Sequence, residues 1–235
     1  MTVATAVVPA PGFWDGGDGS PPTRGLEAGL ARALADRFGL DDVAVVVVPF
    51  PDIAGGDLGG ADIALTQMTP TRERERDVDF TTPYLSTPPG VLVARDGEGA
   101  GARDAEDLRE LRWVVVRSTT LTGVVEDRIR PERDPVEVDD RPAALDQVSD
   151  GDADALLLDL AVAQGLAEEP DLGFEVAGQL TGDEGLAVVL PEGSDNREAV
   201  DSAVRAFKAD GTIDDLVDRW LGGSADDVPL IRVND

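Results

Sequence analysis

The chain has 235 residues, 42% of them hydrophobic, with no cysteine, no histidine and a formal charge of −28. The absence of cysteine and histidine excludes disulfides, thiolate metal sites, a cysteine nucleophile and any serine–histidine hydrolase chemistry. So acidic a chain is repelled by nucleic acid and anionic lipid, and its length suffices for one large domain or two modest lobes, each with its own core.

The longest apolar runs, Val43 to Phe50 and Ala155 to Ala167, are short or broken by Asp159, so no membrane span is expected. The N-terminus lacks the basic residues and apolar core of a secretory signal. Acidic pairs such as Asp139-Asp140 and the segment Asp150 to Asp154 do not complete a calcium loop, so neither metal nor cofactor is expected.

Val3 to Val8 reads as a strand. A helix follows with Leu26, Leu30, Leu34 and Phe38 on one face and Gly39 as its stop. The β-branched run Val43 to Val48 predicts a buried strand. Short strands are predicted at Asp62 to Leu65, Val91 to Ala94 and Trp113 to Val116, with a loop at Asp96 to Glu106 between the last two. A helix over about Thr122 to Arg130 comes next. Pro142 starts another that ends at Gly151. Ala155 to Leu158 is a strand leading into the helix Ala161 to Glu168, and Leu186 to Leu190 is the last strand. Two helices close the pattern. One carries Val200, Val204 and Phe207. The other has Thr212 as its expected cap, buries Ile213, Leu216, Val217 and Trp220, and stops at Gly222. A polar tail from Ser224 to Asp235 holds an apolar island, Val228 to Ile231. The alternation of strands and helices argues an α/β fold with largely parallel sheets.

Several segments carry a family resemblance in order. Met68-Thr69-Pro70-Thr71-Arg72-Glu73-Arg74, followed by Val78-Asp79-Phe80 and Pro83-Tyr84, resembles the "MTxTxxR…VDFxxPY" signature of the polar amino-acid family of extracellular (periplasmic) solute-binding proteins, the receptors of ABC importers. Gly25-Leu26-Glu27, Gly59 to Asp62, Ala144-Leu145 with Gly151 to Ala155, and Lys208 to Ile213 with Trp220 resemble the family's other segments. Each motif is weak by itself; the ordered set spans nearly the whole chain.

The resemblance implies a two-lobed, type II periplasmic-binding-protein fold. It has two mixed, mainly parallel sheets flanked by helices and a ligand cleft between the lobes. One lobe would be residues 1–93 and 187–235, the other 94–186, joined by crossing strands near 91–96 and 183–188. It implies a monomeric, extracytoplasmic receptor, its signal segment absent from this chain, that closes on an amino acid and delivers it to an ABC transporter permease without catalysis. Other readings on the same fold are the ligand-sensing domain of a receptor, a cyclohexadienyl-dehydratase-like enzyme, and a scaffold that no longer binds.

Carried over residue by residue, the resemblance assigns Arg74 to the ligand's α-carboxylate, a task that suits the planar fork of a guanidinium. By itself Arg74 would read as one solvated charge in the run Arg72 to Arg76. Thr69 falls where a family hydroxyl touches the ligand. Gln67 stands in place of the usual small residue, where a longer side chain could reshape the pocket or read the ligand's side chain. Ser118-Thr119-Thr120 resembles a loop whose backbone N–H groups and hydroxyls favour a carboxylate, with Ser118 replacing glycine; the same residues read equally as a helix N-cap. Asp159 stands where the family pairs with the α-ammonium, and it too could be a helix cap. Phe13 and Trp14 fall where an aromatic flanks the ligand side chain, or in the core. Arg117 is a weaker candidate. Gln67 and Arg117 together tilt the expectation toward an amide or acidic side chain.

Overall fold

The fold is taken from a computed structural model, which describes residues 1–15, 24–221 and 225–233. In chain order the elements are β1 (Thr2–Thr5), α1 (Leu26–Arg37), β2 (Ala44–Val47), α2 (Phe50–Ala54), β3 (Ile63–Met68), β4 (Val78–Phe80), β5 (Leu85–Thr87) and β6 (Pro89–Ala94). They continue with α3 (Ala105–Glu110), β7 (Trp113–Val116), α4 (Thr120–Val124), β8 (Val136–Val138), α5 (Arg141–Ser149), β9 (Ala155–Asp159) and α6 (Leu160–Glu168). The last are β10 (Phe174–Leu180), β11 (Glu184–Pro191), α7 (Arg197–Ala209), α8 (Thr212–Trp220) and β12 (Leu230–Ile231). The chain divides into two compact units: Met1–Ser86 with Gly185–Gly222, and Thr87–Glu184 with Gly223–Asp235.

The first unit is built on a mixed sheet in the order β2-β1-β3-β11-β4, with β5 joined to β11. β1 runs parallel to both β2 and β3, whereas β11 runs antiparallel to β3 and β4. Parallel neighbours start and finish together, so β2, β1 and β3 end at one edge of the sheet. Ala4, Ile53, Leu58, Met68, Phe80 and Val189 fill one core layer. Helix α1 presents Leu26, Leu30 and Leu34 to the interior, as its period predicts; Phe38, expected on that face, lies past the last helical turn and is 39% exposed. Gly25 lets α1 begin against the turn before it: a Cβ there would lie 2.2 Å from the Phe13 carbonyl oxygen.

One strand departs from expectation. β2, predicted as buried, is an edge strand with Val47 63% exposed. Its β-branched run reflects strand propensity, but only one of its edges has a partner, and a short edge strand is covered on fewer sides.

The second unit has the sheet order β12-β10-β6-β9-β7-β8. β7 is parallel to β8 and β9; β6 is antiparallel to β9 and β10. Val91, Leu108, Trp113, Val115, Leu157 and Leu180 form its core, and the Trp113 indole N–H donates to the Leu108 carbonyl at 2.8 Å. The expected loop at 96–106 holds a 3-10 turn and the start of α3, which Asp104 caps through a reciprocal pair with Asp107. The helix expected over 122–130 starts at Thr120 and passes into a π-helical turn at Val125–Ile129. Residues 225–233 group with this unit, whereas residues 187–235 were all expected in the first lobe. The reason is that β12 pairs with β10, the Gln179 amide donates to the Val228 carbonyl at 2.8 Å, and Ile231 packs against Gly178. Thr212 does not cap α8: it is the first helical residue, and its hydroxyl donates to Asp210. The expected stop at Gly222 lies outside the described residues.

Candidate functional site

In the first unit, the shared end of the parallel strands gathers the candidate residues. Phe50 opens α2 just after β2, Phe13 and Trp14 follow β1, and Gln67 to Arg74 occupy the end of β3 and the turn beyond it. In open α/β sheets this edge, outside the carboxyl ends of parallel strands, is where ligands bind.

Of the three arginines in the run 72–76, Arg74 alone is buried, at 8% exposure. A buried guanidinium needs acceptors. Its Nη1 donates to the Thr69 carbonyl at 2.7 Å, and its guanidinium carbon lies 5.2 Å from the centre of the Phe50 ring. The turn holds its own shape: the Arg74 N–H donates to the Thr71 hydroxyl at 3.2 Å, and the Glu75 N–H to the Thr71 carbonyl at 2.9 Å. Phe50 is not among the candidates that the sequence singles out for the site. Its signal was an aromatic at the start of a short helix after β2, but nothing local in sequence ties it to Arg74.

Phe13 and Trp14 are fully buried, and the Trp14 indole N–H donates to the Leu65 carbonyl at 3.0 Å. Both therefore pack into the core of the unit. Nearby, Glu27 on α1 is also fully buried. Its Oε1 accepts from the Gln67 backbone N–H at 2.9 Å and from the Tyr84 hydroxyl at 2.5 Å, and its Oε2 accepts from the Gln67 side-chain amide. Burial pushes the Glu27 carboxyl above the usual glutamate range; hydrogen bonds from Tyr84, Gln67 and Trp14 pull the other way without cancelling that effect. Gln67 itself has φ +50°, a left-handed backbone. The long side chain that could have read a ligand is thus turned onto Glu27.

In the second unit, β7 and β9 are adjacent and parallel, so their carboxyl ends also share an edge. Ser118 to Thr120 follow one strand, and Asp159 ends the other. Ser118 has φ +64°, so the residue that replaces the family's glycine keeps a glycine-like backbone. The Thr119 hydroxyl donates to the Val116 carbonyl at 2.9 Å, and the Thr120 hydroxyl to Glu184 at 2.8 Å. Neither caps α4 in the way a simple N-cap reading required: Thr119 precedes the helix without a side-chain cap bond. Glu184, 64 positions from Thr120, is a partner that no local pattern signals. Asp159 precedes α6 but its side chain does not cap it. Gly90 on β6 allows this end to pack closely, since a Cβ there would lie 2.9 Å from the Leu160 Cα. Arg117 is exposed and pairs with Glu137 and Asp139 across to β8. Gln67 is thus engaged with Glu27, and Arg117 with two surface carboxylates.

Among the described residues no group of acidic side chains is arranged to hold a metal ion, and no helix is long and apolar enough to cross a membrane.

Comparison with known proteins agrees with this arrangement. The family of bacterial extracellular solute-binding proteins, family 3, matches residues 6–223. The L-cystine-binding protein TcyJ of Escherichia coli (strain K12) is 27% identical over 216 residues, covering 90% of this chain and 79% of that protein. ABC transporter arginine-binding protein 1 of the same strain is 31% identical over 167 residues, covering 68% of this chain and 66% of that protein. Among solved structures, an ancestral arginine-binding protein bound to glutamine superposes with a TM-score of 0.80 at 24% identity, covering 95% of this chain and 98% of the other. The ancestral amino-acid-binding protein AncCDT-1, described as a precursor of cyclohexadienyl dehydratase, gives 0.75 at 25% identity and 94% coverage of both chains.

Proposed function

This chain belongs to the bacterial extracellular solute-binding proteins, family 3, and on that premise we propose that it is an amino-acid receptor serving an ABC importer. The observation that carries the reading is Arg74: one arginine of an exposed, charged run, buried at the carboxyl edge of β3 against Thr69 and Phe50. A buried cation beside a polar turn suits a ligand carboxylate. Asp159, at the carboxyl end of β9 in the second unit and not spent as a helix cap, supplies a carboxylate for the α-ammonium. The pair is complementary to a zwitterion. Backbone groups around Gln67 and Ser118, together with the hydroxyls of Thr69, Thr119 and Thr120, complete the polar set; those of Thr119 and Thr120 are tied to Val116 and Glu184 and act through their backbone or by exchange of partner.

On this reading Arg74 answers the carboxylate of the amino acid and Asp159 its ammonium, and ligand binding shifts the population toward the loaded state that a permease would recognise. Relatives that bear the names of cystine, arginine and glutamine binders support the amino-acid class and leave the side chain open. The test is a thermal-shift screen of the purified chain against the twenty amino acids and L-cystine, followed by calorimetry. Stabilisation by one or two amino acids, lost in Arg74→Ala, supports the proposal. A shift that survives in Arg74→Ala, or turnover of prephenate or arogenate read by absorbance, would replace it.

A further inference from the structure

The most unusual polar group outside the ligand-facing set is Glu27. It is fully buried, yet it makes no ion pair among the described contacts; its partners are the Gln67 backbone and side chain and the Tyr84 hydroxyl, with the Trp14 indole beside them. These partners come from two places, the end of β3 and the turn before β5, while Glu27 itself stands on α1. Carboxylates are rarely buried without a reason in hydrogen bonding, because desolvation is costly. Here one carboxyl takes both donors of a single residue, and that residue has a left-handed backbone at φ +50°. A side chain other than glycine resists this conformation. Two residues further on lies Thr69, whose carbonyl holds Arg74.

We propose that Glu27 is a positioning residue for the ligand site: by gripping Gln67 at backbone and side chain it holds the left-handed turn that aims the Thr69 carbonyl, and through it Arg74. The proposal rests on the reading of Arg74 as the carboxylate-binding group. It explains how a residue with a long side chain holds this left-handed backbone. The backbone needed there is supplied by the grip of Glu27 and not by the freedom of glycine.

The test is a set of variants of the full chain: Glu27→Ala, Glu27→Gln, Gln67→Gly and Glu27→Ala/Gln67→Gly. Affinity is measured by calorimetry for L-arginine, L-glutamine and L-cystine, and stability by urea unfolding. Glu27→Ala is expected to weaken binding about tenfold or more, as for loss of an acceptor that leaves buried donors unsatisfied. Glu27→Gln keeps an acceptor and is expected to stay within about threefold, a rescue that bulk or packing alone would not require. With glycine at 67 the left-handed turn needs no holding, so the Glu27→Ala loss should shrink about fivefold, the factor expected from the cost of that conformation. An equal loss in both backgrounds, or a loss of stability with affinity unchanged, overturns the proposal.

Two further arms keep the outcome decisive. Where Glu27→Ala does not fold, Gln67→Ala is compared with Gln67→Gly. Both lose the amide but only alanine resists the turn, so the proposal requires glycine to bind more tightly, and equal affinities sink it. Where the unaltered chain binds none of the three amino acids, hydrogen exchange of the ligand-free Arg74 and Glu75 amides reads the same turn. Exchange at least tenfold faster in Glu27→Ala upholds the positioning role while the amino-acid reading falls. Unchanged exchange overturns the positioning role itself.

Discussion

Arg74 shows how much a single side chain's surroundings decide. Arg72, Arg74 and Arg76 are the same residue type at equal spacing, yet only Arg74 is withdrawn from water onto the Thr69 carbonyl and the Phe50 ring. Replacing it with alanine is expected to weaken amino-acid binding by roughly 2–5 kcal/mol, as for truncating one member of a buried charge pair. Arg74→Lys should recover only part of this loss, because an ammonium cannot give the two parallel bonds of a guanidinium. Isothermal titration of both variants checks the order; equal affinity of lysine and arginine would show that charge alone is used. Glu27 gives a prediction in pH. Its folded pKa is raised by burial, so its contribution to stability is fully present below the unfolded glutamate value, about 4.3, and is lost as pH rises from there through the folded value. Glutamine does not titrate. The unfolding free energy of the unaltered chain relative to Glu27→Gln should therefore fall as pH rises above that point, and a flat difference would mean that the carboxyl is ionised in both states.

At the scale of elements, the helices and strands that the residue pattern predicted are those whose periodicity is set by one continuous core. Leu26, Leu30 and Leu34 of α1, Val200, Val204 and Phe207 of α7, and the runs of β7 and β9 are all buried. Local pattern failed where pairing decided the outcome. Nothing in Val43 to Val48 says that its strand would be an edge, and nothing in residues 225–233 says that they would pair with β10. The packing of Gly90 against α6 is another non-local fact with a local consequence. Gly90→Ala places a methyl group 2.9 Å from the Leu160 Cα and 3.0 Å from its Cδ1, so the start of α6 must shift. Overpacking of this kind costs typically 1–3 kcal/mol. Because Asp159 immediately precedes Leu160, ligand affinity should fall along with urea stability. A variant destabilised in urea but unchanged in affinity would separate α6 from the ligand site.

For the whole molecule, charge is the dominant fact. A formal charge of −28 on 235 residues makes the native state repel itself. Raising NaCl from about 0.05 to about 1 M shortens the screening length from over 10 Å to about 3 Å, so the melting temperature should rise over this range in differential scanning fluorimetry; a fall would point to a few strong ion pairs as the main electrostatic term. Bound amino acid should add to this, by about 2.7 kcal/mol at a hundredfold excess over its dissociation constant.

The residue order by itself determined the α/β class, the ordered family segments, the exclusion of cysteine and histidine chemistry, and the choice of Arg74 and Asp159 as candidates, because periodicity, composition and spaced motifs are local properties. The tertiary structure decided what those residues do. It buried Phe13 and Trp14, set Gln67 on Glu27, tied Thr120 to Glu184, and sent Arg117 to the surface. Tyr84 and Gln67 reach Glu27 from 57 and 40 positions away. Contacts over such separations depend on how strands are paired and helices are packed, and one glutamate in a strongly acidic chain carries no mark that it will be closed off from water.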